Sequence, residues 1–240
     1  MAVSIGAWTR HSVADAAEWE WSFIHSHVAG PSLLIIVGGQ QRDPVPPLAE
    51  PSTRLDGNAL TPAAGPFHHD GSSSFNSQPN FTVYFQGAVA PGDHTIEVEF
   101  DPARTRSFIA WAIELSGVDV GNPIAASALG NNGWLSDPNV DLTTVEDGSL
   151  VVAMMGLRGG DTAPFSVVSP GGLILGDDHT PDPANGSALH AAWAHIQNPS
   201  AGSEHYQLHS ALADYATAAA IEIRAATAIV RRRRTLQIIM

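Results

Sequence analysis

Two histidine pairs, His25/His27 and His205/His209, are the groups in this 240-residue chain best placed by spacing to act together. Side chains two or four residues apart on a strand share a face, so each pair could turn two imidazoles toward one metal ion. Zinc needs three or four converging N, S or O donors. The chain has no cysteine and no ligand signature such as His-Glu-x-x-His. The strand histidines therefore read as partly buried packing groups, and His68-His69-Asp70 and Asp177-Asp178-His179 as loop residues. Asp177, Asp178, Asp182 and Asn185 could surround calcium, but their spacing is not that of an EF-hand. No metal and no cofactor is assigned. Glu97, Glu99 and Asp101 alternate along one strand with Cα atoms about 6.6 Å apart, near enough for a glycosidase-like carboxylate pair. Alternation in an acidic protein gives the same pattern on a solvated face. Trp8, Trp134 and the tyrosines could stack on sugar rings, although aromatic side chains in β proteins more often serve core or interface.

Several chemistries are excluded. There is no Gly-x-Ser-x-Gly elbow, and a chain without lysine has no P-loop. All eleven basic residues are arginine, and four of them are consecutive at Arg231, Arg232, Arg233 and Arg234. The remaining seven face all 24 acids, so an acidic body ends in a cationic segment, with a net charge of −13. An acidic body argues against nucleic acid as a partner. The arginines are followed by Leu236, Ile238, Ile239 and Met240. Arginine pairs bidentately with carboxylates, and the apolar end could fill a groove, so this segment reads as an arm that docks on a neighbouring subunit. No basic and apolar leader opens the chain, and no apolar run is long enough to span a bilayer. The chain reads as soluble and made in a cytoplasm.

The elements that must hold these groups are strands. Trp19, Trp21, Phe23, His25 and His27 alternate with polar residues. SLLIIV (32–37) is a continuous apolar run of the kind covered on both faces. LDGNAL (55–60) carries the Asp-Gly of a tight hairpin. Residues 81–85 and 94–100 are expected to pair through the Pro91-Gly92-Asp93 turn. Residues 107–115 place Ile109, Trp111, Ile113 and Leu115 on one face. Further strands are expected at 149–157, 166–169, 173–175, 188–197, 205–209 and 216–224. Alanines at 124–129 and 211–220 could favour helix. Residues 43–51 and 62–79 read as surface loops, and no internal repeat is visible in the residues. Short strands at this spacing imply an all-β sandwich or barrel.

The order SLLIIVGG, LDGNALTPA, APGDHTIEVEF, AWAIELSGVD, EDGSLVVAMMG and ADYATAAAIEIR resembles the jelly-roll-like β-sandwich modules of tailed-phage and prophage structural proteins, also seen in bacterial surface proteins. The resemblance implies an all-β, antiparallel, jelly-roll-like sandwich in one domain over residues 1–225, with a short arm at 226–240. It implies a non-enzymatic virion component, such as a capsid decoration, head fibre or tail-associated protein, and brings no catalytic residues. Its partners would be other virion proteins, copies of itself and a host-surface glycan, with no nucleic acid and no membrane, and its location the virion assembled in the host cytoplasm. A carbohydrate- or receptor-binding sandwich is the alternative reading, and a glycan-cleaving enzyme using Glu97 and Glu99 a further one.

Overall fold

Strands that are apolar on both faces need cover on both sides, and the architecture supplies it in layers. The structure, a computed structural model, describes residues 2–13, 20–28, 30–41, 51–67, 79–100, 105–158, 165–169, 173–179, 189–197, 200–211 and 213–226. The strands are β1 (Ser4–Val13), β2 (Glu20–His27), β3 (Ser32–Gln41), β4 (Ser52–Leu55), β5 (Asn58–Ala59), β6 (Pro62–Phe67), β7 (Pro79–Gly87), β8 (Gly92–Glu99) and β9 (Thr105–Ser116), followed by β10 (Ile124–Leu135), β11 (Asn139–Thr143), β12 (Leu150–Arg158), β13 (Ser166–Ser169), β14 (Leu173–His179), β15 (Leu189–Gln197), β16 (Ser203–His209) and β17 (Asp214–Ile223). Among the described residues there is no helix long and apolar enough to cross a membrane. The protein is all-β and its strand pairings are antiparallel.

Among the described residues four sheets form, in the orders β1-β9-β3-β7-β6, β2-β8-β4-β5, β10-β17-β12-β15-β14 and β11-β16-β13. The second pair of sheets repeats the first. When β10, β11, β12, β13, β14, β15, β16 and β17 are matched to β1, β2, β3, β4, β6, β7, β8 and β9, the orders coincide. The span from β1 to β17 thus holds two sandwiches of one topology. The residues do not advertise the repeat because what recurs is hydrogen-bonding order and facing, which many apolar sequences satisfy.

Among the described residues three apolar cores separate the layers. Leu33, Ile35, Val37, Ile96, Val98, Phe108, Ala110 and Ala112 fill the first sandwich. Val151, Ala153, Met155, Tyr206, Leu208, Ala218 and Ala220 fill the second. Between them lies the largest core, in which Leu34, Ile36, Phe81, Ile109, Trp111 and Ile113 of one five-stranded sheet meet Val152, Met154, Trp193, Ala219 and Ile221 of the other. The two large sheets are therefore back to back, each with a smaller sheet on its outer side. This explains why SLLIIV, SFIAWAIEL and LVVAMMGL lack a polar face.

The expected LDGNAL hairpin forms at β4–β5, with Asp56 and Gly57 both at positive φ (50° and 77°), as a tight primed turn requires. Ile96, Val98 and Phe100 are buried, while Glu97 and Glu99 lie on the outer side of β8. Other expectations need correction. β7 and β8 do not pair: β7 joins β3 and β6, and β8 joins β2 and β4. The Pro91-Gly92-Asp93 turn carries the chain between sheets, with Val89 buried in the crossing. Residues 62–67, expected as loop, form edge strand β6. The alanine-rich segment 124–129 adopts strand β10 rather than helix, because pairing with β17 outweighs helix propensity, whereas the strand expected at 216–224 does form, as β17, paired on both sides. β14 runs on to His179, so Asp177, Asp178 and His179 are strand residues paired with β15. β1 and β11 were not anticipated. The C-terminal end of the described chain is stitched to the link between the halves: Val118 bridges Ala225, and the Ala226 N–H donates to the Gly117 carbonyl at 2.7 Å.

Candidate functional site: a buried His-His-Glu cluster

β2 alternates outward and inward, and its last two inward residues are His25 and His27. Both are buried, at 0% and 2% exposure. They face β9 across the first sandwich. On that side β9 presents Phe108, Ala110 and Ala112 and then Glu114, which is 1% exposed. Glu114 sits opposite Leu33 of β3 in the ladder, which fixes it on the inner face. The sandwich thus buries two imidazoles and a carboxylate among apolar groups.

The geometry is convergent. His25 Nε2 lies 3.7 Å and His27 Nδ1 3.6 Å from Glu114 Oε1. The three potential donor atoms all lie within 4.8 Å of one another. The far nitrogen of each ring is held from behind: His25 Nδ1 is 3.0 Å from Thr9 Oγ1, and His27 Nε2 is 2.7 Å from the Gly30 carbonyl oxygen. A carbonyl only accepts, so His27 Nε2 donates to it, and Nδ1 is the nitrogen turned toward Glu114. The inward nitrogens, His25 Nε2 and His27 Nδ1, are buried without a hydrogen-bond partner. Glu114 Oε1 accepts the Val28 N–H and Oε2 the Ala7 N–H at 3.2 Å. Burial lowers the pKa of His25, with the Glu114 charge opposing that shift.

β9 was expected, but Glu114 was missed as a site residue. Its signal is a single acid in a strand apolar on both faces, where burial of a charge demands partners. The same signal marks Glu222 in AAAIEIR, which the structure also buries.

Among the described residues the other sequence candidates do not form one site. His205 pairs with Asp141 at 2.7 Å and His209 with Asp137 at 2.8 Å, all at the surface, as two separate pairs. Glu99 lies 3.8 Å from Arg54. Trp8 packs edge-on to Trp193, whereas Trp134 is 60% exposed beside Tyr215. Asp101, His68, His69, Asp70, Asp182, Asn185 and residues 227–240 of the arm, with Arg231–Arg234, Leu236, Ile238, Ile239 and Met240, lie outside the described residues. The chain matches no protein-family model, no curated protein and no solved structure.

Proposed function

We propose that this chain is a non-enzymatic structural component of a tailed-phage particle, displayed on head or tail as one of many copies, and that it acts by surface display and subunit docking. The observation that carries the reading is the strand order of each half. With β6 set aside as an added edge strand, the first half runs β1-β9-β3-β7 against β2-β8-β4-β5, and the second follows it. We read this as two jelly rolls, an architecture common in capsid and lectin domains. Back-to-back fusion through a shared apolar core makes a stiff body, suited to holding a surface at a fixed distance. The net charge of −13 keeps free copies apart before assembly. In this reading the arm at 226–240 docks on an acidic partner through Arg231–Arg234 and on an apolar groove through Leu236, Ile238, Ile239 and Met240.

Removal of residues 227–240 tests it. The truncated chain should fold with an unchanged circular-dichroism spectrum and fail to join particles. Incorporation at full copy number would refute docking by the arm.

A carbohydrate-binding role is favoured by one feature. Trp134 stands 60% exposed, with Tyr215 edge-on at 5.6 Å and the Arg158 guanidinium 4.8 Å from the Tyr215 ring centroid. A glycan array that gives selective signal, lost in Trp134→Ala, would favour receptor binding.

A further inference from the structure

We propose that His25, His27 and Glu114 bind a divalent transition metal ion, zinc by preference, which clamps the two sheets of the first sandwich together. His25 and His27 belong to the outer sheet and Glu114 to the inner one, so one ion bridges the layers.

Ligand type and spacing agree. Two imidazoles and a carboxylate suit zinc, and tetrahedral ligands at about 2.0–2.1 Å from the ion stand about 3.3 Å apart. The two nitrogen–Oε1 separations of 3.6 and 3.7 Å need to contract by only a few tenths of an ångström, and all three donor atoms lie within 4.8 Å of one another. Metal-bound histidines are held by a partner on the opposite nitrogen, the role Thr9 and Gly30 already play. What remains unexplained without a cation is the pair of inward nitrogens. They are buried, make no hydrogen bond, and are aimed at the same carboxylate oxygen. His94, whose ring is 6.0 Å from that of His27, is no ligand, since its nitrogens engage Asp56 and the Ala90 carbonyl.

The second sandwich serves as an internal control. Glu222 occupies the place of Glu114: it lies opposite Val151 as Glu114 lies opposite Leu33. There Oε1 accepts the Ser149 hydroxyl at 2.7 Å and the Glu146 N–H at 3.0 Å, and Oε2 accepts the Val145 N–H at 2.9 Å. His27 stands opposite Gly92, and the residue in register with Gly202 is Thr144; His25 is matched in turn by Leu142. With no histidines, that carboxylate is satisfied by the chain alone. The metal belongs to the first half.

The test uses the untagged full chain, stripped with chelator, exposed to zinc, desalted and measured by plasma mass spectrometry. We expect about one zinc per chain and a Tm raised by several degrees. Cobalt in its place should give the intense visible bands of a tetrahedral site, a readout that needs no variant. The Glu222→Gln chain should keep its zinc, and a His25→Ala/His27→Ala chain should lose both zinc and the Tm response. Failure of the unmutated chain to retain zinc, or equal retention by the double variant, would overturn the assignment. A proton shared between the rings and Glu114 would be the cation in the first case, and a surface histidine pair the site in the second.

Discussion

Glu114 and Glu222 are the same structural position used twice. Each is a buried carboxylate on the last strand of its sandwich, and each accepts the backbone N–H of a valine that follows the second strand, Val28 in one half and Val145 in the other. The acid organises the chain as it leaves the outer sheet for the centre of the inner one. Only the first half adds two histidines to it.

Replacing Glu222 by Gln should therefore destabilise the fold without touching metal. The amide keeps one acceptor but turns an NH2 group toward donors. The expected cost is about 3 kcal/mol, since buried hydrogen bonds to a charged group contribute about 1.5–3 kcal/mol. That is a Tm fall of about 10 °C for a chain of this size. Ser149→Ala should cost about 1 kcal/mol. Thermal melts of both variants check this, and an unchanged Tm for Glu222→Gln would refute the role.

The shared central core should make the two sandwiches unfold together. Phe81 of β7 lies close to Gly38 of its own sheet and Gly156 of the opposing one, where added Cβ atoms would stand 2.9 Å and 3.0 Å from its ring. Phe81→Ala should cost about 3–5 kcal/mol and shift a single calorimetric transition. Two separate transitions, with only one moved, would show that the halves are independent.

The Asp56–His94 pair should give a pH signature on the β4–β5 turn. His94 Nδ1 lies 2.7 Å from Asp56 Oδ2, and the Thr95 N–H donates to Asp56 Oδ1 at 2.8 Å. The hydrogen bond to Asp56, aided by the Ala90 carbonyl and the nearby Asp93 charge, raises the pKa of His94, and the bond to His94 lowers that of Asp56. A raised histidine contributes fully below its ordinary 6.5 and loses the contribution as pH rises through its folded value. A lowered aspartate contributes fully above its ordinary 3.8 and loses it as pH falls through its folded value. The Tm difference between the unmutated chain and His94→Ala, measured in chelator, should be largest between those two values and shrink toward pH 9. A difference that grows toward pH 9 would contradict the pairing.

Much of the strand content was legible because alternation and apolar runs follow burial directly. Ile96, Val98 and Phe100 against Glu97 and Glu99 is one case, and the Asp56-Gly57 hairpin another. Sheet membership was not legible. Nothing in Pro91-Gly92-Asp93 distinguishes a hairpin from a crossing between sheets, and the difference rests on long-range pairing of β8 with β2. Edge strand β6 was hidden by Pro62 and Pro66, which suit edges as well as loops. The site was half legible. His25 and His27 were seen to share a face, but their third partner is nearly ninety residues away, and only the ladder of β3 with β9 brings Glu114 to them.

The most direct test of the structural-component reading is the copy number of this chain in purified phage particles, measured by quantitative mass spectrometry of the band that contains capsid and tail proteins. We expect a fixed copy number in a simple ratio to a known virion protein. A chain present in the host lysate yet missing from intact particles would contradict it.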